Sequence, residues 1–317
     1  MLLPAAPIRR LHPGVKAGLI ACIALVAGFC YIGILRGLEH GAPLRFASLR
    51  VLIAGVAILL AAGVLRKPLF PAPRRRVWVL PLGLVATALT FGAMFLTPQF
   101  TGAGLASVLG NLQPLFVVVL AGLLLGERLT LARMTALALG LTGVSLIAVG
   151  SFASSFGPGA GIAIALLSSA SAAVGTVLIK YLAPGEDWLA LAGWQLLAGG
   201  GILFAASLSL GEPASHWSLS FIGILAFLAL GETAFVTVLW FWLLRRSEAG
   251  PLAINLFFVP VVGLLLAVLI EGERLTATVW MGAAIVLAGI GAGILGESRA
   301  SGGPRNCVPK TIHLPSD

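Results

Sequence analysis

Apolar runs that each approach the roughly 20 residues needed to cross a bilayer as a helix recur from end to end of this chain. They predict ten spans, at about 15–36, 44–65, 77–98, 101–124, 131–150, 160–180, 189–210, 219–243, 249–270 and 277–296. Turn chemistry fills the breaks: Lys67-Pro68, Pro71-Ala72-Pro73, Phe156-Gly157-Pro158-Gly159, Pro184-Gly185 and Gly211-Glu212-Pro213. The expected fold is an all-α integral membrane protein of ten transmembrane helices. Residues 1–14 form an N-terminal segment outside the spans. A polar tail rich in Gly, Pro and Ser, 297–317, is expected to be disordered.

Composition sharpens this. The 317 residues are 59% hydrophobic and 10% charged, with a mean hydropathy of +1.07. A soluble domain carries about a quarter of its residues as charges, so this chain lacks the polar surface to cover a water-soluble globule. The net charge of +9 raises nucleic acid as a partner. That reading fails, because the basic residues sit in short patches between apolar runs, Arg74-Arg75-Arg76 being the densest. They read instead as topology signals. With the N-terminus inside, sixteen of the twenty lysines and arginines fall on the inner side, leaving Arg36, Arg45, Arg50 and Arg274. Both termini are then cytoplasmic in a bacterial-type inner membrane. Cys22, Cys30 and Cys307 give no paired framework for disulfides.

An internal repeat is the most informative feature. Gly126-Glu127-Arg128-Leu129-Thr130 returns as Gly272-Glu273-Arg274-Leu275-Thr276, displaced by 146 residues. The same displacement carries Pro114 onto Pro260, Thr87 onto Thr233, Phe95 onto Phe241 and Gly143 onto Gly289. A nearby shift sets Arg36 opposite Lys180 and Arg50 opposite Gln195. Residues 15–150 and 160–296 therefore read as two five-helix repeats. Five is odd, so the repeats cross the membrane in opposite senses. Inverted repeats support two exchanged conformations, one open to each side, around a site at the midplane. The competing reading is a duplication kept only for stability in lipid.

On these residues the chain resembles the drug/metabolite transporter superfamily, in its EamA-type ten-helix branch, from about Val15 to Gly296. The family's proline followed by an apolar run and Gly-Glu is matched by Pro114 through Gly126-Glu127 and Pro260 through Gly272-Glu273. Its arginine early in the second span is similar to Arg50 in Ser48-Leu49-Arg50-Val51. The end of its sixth span resembles Ala173-Val174-Gly175-Thr176-Val177-Leu178-Ile179-Lys180. The first span departs, with Ala27-Gly28-Phe29 where a Trp-Gly pair is usual. The resemblance implies two inverted five-helix halves around a central cavity, and export of small metabolites or foreign compounds.

Glu232, about halfway along the eighth span, is the acidic residue placed deepest. Ionisable groups at such depth cost about 2.5–3.5 kcal/mol on insertion scales for Asp, Lys or Arg, so it is expected to face protein rather than lipid. It suits proton coupling or cation exchange; the alternative is a carboxyl that only ties helices together. Arg50 has two readings: a cavity cation that meets a substrate carboxylate or pairs with Glu232, and a side chain snorkelling outward beside Arg45. Thr87, Thr90, Asn111, Gln113, Gln195, Thr233 and Asn255 are the candidate polar lining of a transport cavity. For each, the bland role is an interhelical hydrogen bond of about 0.6 kcal/mol.

Trp194 is a candidate ring-stacking residue, whereas Trp78, Trp188, Trp217 and Trp280 near span ends fit interfacial anchors. Pro114 and Pro260 free the carbonyls of Gly110 and Leu256 and are expected to act as hinges or to shape the cavity. Glu127 and Glu273 read as structural, in turns whose glycines end one helix and whose threonines cap the next.

Enzyme readings lack a constellation. His12, His40, His216 and His313 are scattered, with no Gly-x-Ser-x-Gly elbow and no P-loop. No cofactor or metal is expected. The reading is a secondary transporter, an exporter of small metabolites or drugs by alternating access, with proton coupling one way to power it. The alternative is a membrane scaffold or lipid-binding regulator without turnover. Its partners would be a small-molecule substrate and membrane lipids, and the sequence leaves oligomeric state open, a homodimer included.

Overall fold

The computed structural model describes residues 13–97, 112–127, 129–151, 159–182, 185, 187–271 and 276–300. Ten helical elements run through them. The first, α1, comprises Pro13–Gly28 and Cys30–Leu38, interrupted at Phe29. It is followed by α2 (Pro43–Val64), α3 (Pro73–Thr97), α4 (Gln113–Leu125), α5 (Leu131–Ser151), α6 (Gly159–Leu182), α7 (Trp188–Ser209) and α8 (Leu219–Leu244). Element α9 strings together Ala249–Ile254, a 3₁₀ turn at Asn255–Phe257 and Phe258–Glu271, and α10 is Ala277–Ala300. Among the described residues α1, α2, α3, α6, α7 and α8 are long and apolar enough to cross a membrane, and the other four contribute shorter apolar stretches. Large apolar side chains such as Val64, Leu123 and Leu131 point outward, 74–83% exposed, a surface that only lipid would cover.

Local chemistry sets the helix ends. Pro43 and Pro73 open α2 and α3 in the first helical turn, where the missing N–H costs nothing. Gly126 and Gly211 follow α4 and α7 with φ of +67°, the left-handed conformation that halts a helix. Arg66, the residue 145 positions before Gly211, takes a φ of +53° after α2. The repeat therefore persists in backbone geometry where the glycine itself is not repeated.

The packing shows the same symmetry. Helix α2 lies on α7, and α5 on α10. Of the remaining contacts, α4 packs on α9 and α3 on α6, and two sets come in mates: α3 on α7 with α8 on α2, and α4 on α6 with α9 on α1. Adding five to each helix number, and wrapping past ten, turns each contact into its mate. Two inverted five-helix repeats related by a pseudo-two-fold axis produce this pattern. One core joins α1, α2, α3, α6, α7 and α8 with Val117 and Ala121 of α4 and Ala249, Leu252 and Ala253 of α9, while a second joins α5 and α10 with other residues of α4 and α9. In the second, Gly143 and Gly282 let α5 and α10 touch backbone to backbone: a Cβ on either would lie 2.6 Å from the other's carbonyl oxygen.

Both ends of α7 are tied to the first repeat, one to the start of α2 and the other to the start of α3. At one end Glu212 accepts from the backbone N–H groups of Leu44 and Arg45 at 3.0 and 2.8 Å, satisfying orphan donors of α2. At the other, Asp187 accepts from the N–H of Ala72 at 2.7 Å and pairs with Arg75 at 2.6 Å. The end carrying Arg74–Arg76 is called the basic face below.

Three expectations change. Helix α10 continues to Ala300, so Glu297–Ala300 are helical rather than tail; the rest of the tail lies outside the described residues. The Arg74–Arg76 patch forms a helical turn of its own, and Arg75 is held by Asp187 rather than serving only as an anchor. Trp188 is 8% exposed and stacks on Phe241 at 6.4 Å, beneath the Arg245 guanidinium, so it is a packing residue. Trp217 and Trp280 stay exposed, as interfacial anchors would be.

Replacing Gly143 with leucine is expected to cost about 1–3 kcal/mol by overpacking the α5–α10 contact. Gly201→Ala, at a site with nothing within 4 Å of the added carbon, should leave stability equal or higher. Thermal unfolding in detergent micelles compares the two.

Candidate functional site

Helix α8 loosens where it meets α2. Residues Phe227–Phe235 form a π-helical stretch, and Gly83–Leu89 of α3 form another. Displaced by 146 residues, the α3 stretch lands on 229–235, within that of α8. A π turn shifts backbone hydrogen bonds from the fourth to the fifth preceding carbonyl, and such turns concentrate at functional sites. Threonine hydroxyls serve carbonyls at that spacing, Thr233 donating to Leu228 O at 2.9 Å and Thr90 to Val85 O at 3.0 Å.

Arg50 enters this joint from α2 with no exposed surface. Its Nε donates to Thr233 Oγ1 at 2.7 Å, and Nη1 lies 3.5 Å from Cys30 Sγ beside the break in α1. Nη2 makes an ion pair with the Glu232 carboxylate. The guanidinium also stands over the rings of Phe91 and Phe95, at 5.1 and 5.6 Å. Glu232 keeps 16% of its side chain exposed. A charge this deep is retained only when paired and hydrogen-bonded, and here two repeats supply the partners. The snorkelling alternative for Arg50 does not occur.

The pseudo-two-fold mate of this joint lies between α7 and α3, and it is neutral. Gln195 stands where Arg50 does, Thr87 where Thr233 does and Ala86 where Glu232 does. Gln195 and Thr87 are 3% and 0% exposed, and Gln195 Oε1 and Thr87 Oγ1 have no protein hydrogen-bond partner. The fold builds one architecture twice and places ionic charge in one copy.

The other predicted residues are spread more widely. Gln113 donates from its amide to Thr176 Oγ1 of α6 at 3.3 Å, and Asn255 bonds back to Pro251 O at 2.8 Å. Asn255 also borders a small, partly open space of about 10 Å³ between α1, α8 and α9, room for about one water. Trp194 is turned away from Arg50, donating to Leu69 O at 2.9 Å and stacking on Phe70. Pro114 stands in the first described turn of α4, and Pro260 follows the 3₁₀ turn of α9. Asn111 lies outside the described residues. The sequence did not mark Phe91, Phe95 or Cys30 as site residues, although the 146-residue register pairs Phe95 with Phe241 as a repeated core aromatic.

Comparison with known proteins now decides the family. The EamA-like transporter family matches residues 14–149 and again 159–292. The chain belongs to that family. The chain is 30% identical over 295 residues to a probable amino-acid metabolite efflux pump of Salmonella typhimurium, spanning 89% of this chain and 95% of that one. A protein of the same description in Escherichia coli is 30% identical over 293 residues, with the same shares. An uncharacterized transporter of Bacillus subtilis, YoaV, is 27% identical across 87% of this chain and 95% of its own. A solved crystal structure at 21% identity superposes with a TM-score of 0.78, covering 91% of this chain and 99% of that one, which shows the shared fold. This EamA-family member is a multi-pass membrane protein and a small-molecule transporter.

Because Arg50 is fully enclosed, Glu232→Leu should strand its charge and lower stability by about 3–5 kcal/mol. The double variant Arg50→Leu/Glu232→Leu should recover most of that loss. Thermal unfolding of the two variants in detergent measures the difference.

Proposed function

We propose that this transporter exports small amino-acid-like metabolites from the cytoplasm by alternating access between its inverted repeats, with both termini cytoplasmic. The Arg50–Glu232 pair is the observation that carries this reading. When α8 parts from α2, the pair leaves a cation and a carboxylate facing one opening. Those groups complement the carboxylate and ammonium of a zwitterion, so substrate exchanges partners with the pair and no buried charge goes unpaired. Phe91 and Phe95 give the site an apolar wall against which a side chain packs. For a substrate without an ammonium group, a proton taken up by Glu232 fills the same role, which couples transport to proton movement. The efflux pumps named among the relatives support the substrate class. The sixteen-to-four bias of lysine and arginine supports the orientation.

Counterflow of labelled amino acids in proteoliposomes tests it. The native chain should show counterflow, with amidated or deaminated analogues competing about tenfold more weakly, the effect of about 1.4 kcal/mol. Glu232→Gln, which keeps a hydrogen bond to Arg50, should fold and insert but lose pH-dependent flux. Absence of any counterflow would turn the reading toward a scaffold without turnover.

A further inference from the structure

A cluster far from Arg50 closes the basic face across the repeats. Glu127, in the turn after α4, accepts from the N–H groups of Ala249 and Gly250 at 2.6 and 2.9 Å and so caps α9. Burial pushes its carboxyl up from the usual range, while those two N–H donors and Arg133 pull it down. Arg133 of α5 makes an ion pair with Glu248, the residue before α9, and lies 3.9 Å from Glu127. Lys180, near the end of α6, donates to Leu244 O, the last carbonyl of α8, and to Ser247 O in the turn beyond it at 2.6 Å. Repeat one thus contributes Glu127 and Arg133, and repeat two contributes Glu248, Lys180 and the start of α9.

The mate of this cluster at the opposite face has a different composition. The 146-residue register carries Glu127 onto Glu273, so the capping glutamate is duplicated. It carries Arg133 onto Val279, a core residue 1% exposed, and sets Glu248 opposite Gly102. In sequence the glutamate is repeated and the Arg133–Glu248 pair is not. The Arg133–Glu248 ion pair of the basic face therefore has Val279 and Gly102 at the matching positions of the other copy.

Resting on the alternating-access reading above, we propose that Arg133 and Glu248 form a one-sided lock. The pair biases the transporter toward the conformation closed at the basic face, and it must part each time the path opens there. Both are positioning residues, distant from substrate, and they set which side the empty transporter faces. The asymmetry follows from inverted-repeat logic: identical halves would populate both conformations equally, so a charge pair present in one copy shifts the equilibrium by its own worth.

Cys30, a buried thiol beside Arg50, reports on this directly. In a Cys22→Ser/Cys307→Ser background, a membrane-impermeant maleimide is added to the basic face alone, using vesicles of known orientation. Arg133→Gln and Glu248→Gln should each speed labelling of Cys30 about tenfold, which corresponds to about 1.4 kcal/mol. The exchanged pair Arg133→Glu/Glu248→Arg should return it toward the native rate, which separates a lock from general loosening of the fold. Unchanged labelling in singly substituted protein that elutes as a monodisperse species would overturn the lock, as would an exchanged pair labelled as fast as the single variants. Counterflow measured on the same vesicles keeps the two readings apart. Flux without a labelling change defeats the lock alone, and a labelling change without any flux defeats transport alone.

Discussion

An arginine with no solvent contact, held between two inverted repeats, is the constraint around which this structure is arranged. Arg50 can be enclosed only because Glu232, Thr233 and the rings of Phe91 and Phe95 converge on it from α8 and α3. In lipid no water would rescue the guanidinium if those partners left, so α2 and α8 are bound by the penalty of separation more than by the attraction itself. The same property makes the joint a useful place for a substrate to act. A ligand carrying both charges removes the penalty for opening, and a ligand carrying neither does not.

Around that joint the contacts divide into fixed and exchangeable. The α2–α7 pair is tied at one end by Glu212, and α5–α10 is fused through Gly143 and Gly282. These pairs straddle the pseudo-two-fold axis and map onto themselves when the repeats exchange. The mates α2–α8 and α7–α3 map onto each other, as do α4–α6 and α9–α1, and these are the contacts an exchange of conformations would trade. Both π-helical stretches lie in α3 and α8, the elements on the trading side. Their shifted hydrogen-bond ladder gives those helices somewhere to bend.

Much of this was legible in the chain. Ten apolar runs and their Pro/Gly breaks gave helix boundaries close to those observed, the start of the fourth span lying outside the described residues, because in lipid every backbone group must be satisfied within its helix. The duplicated Gly-Glu-Arg-Leu-Thr turn carried the repeat, and the depth of Glu232 carried its pairing with protein. Less visible was everything decided by side chains that meet from distant helices. Position near a span end marked Trp188 as an anchor, yet it is sealed beneath Arg245, while Trp194 stacks on a loop phenylalanine. The ties made by Glu212, Asp187, Arg133 and Glu248 join residues more than a hundred positions apart. Periodicity has no term for that. Arg66 shows the reverse, a repeated turn whose glycine has been lost while the backbone conformation survives.

The account stands on α8 moving against a fixed α2–α7 pair as Arg50 changes partners. Paired spin labels at the outward-facing positions Val56 on α2, Leu208 on α7 and Leu230 on α8 measure that movement in reconstituted protein. The α2–α8 distance distribution should be bimodal and shift with added amino acid, while α2–α7 stays single and constant. A single, unshifted α2–α8 distance in protein that shows counterflow, or an α2–α7 distance that changes with it, would contradict the account.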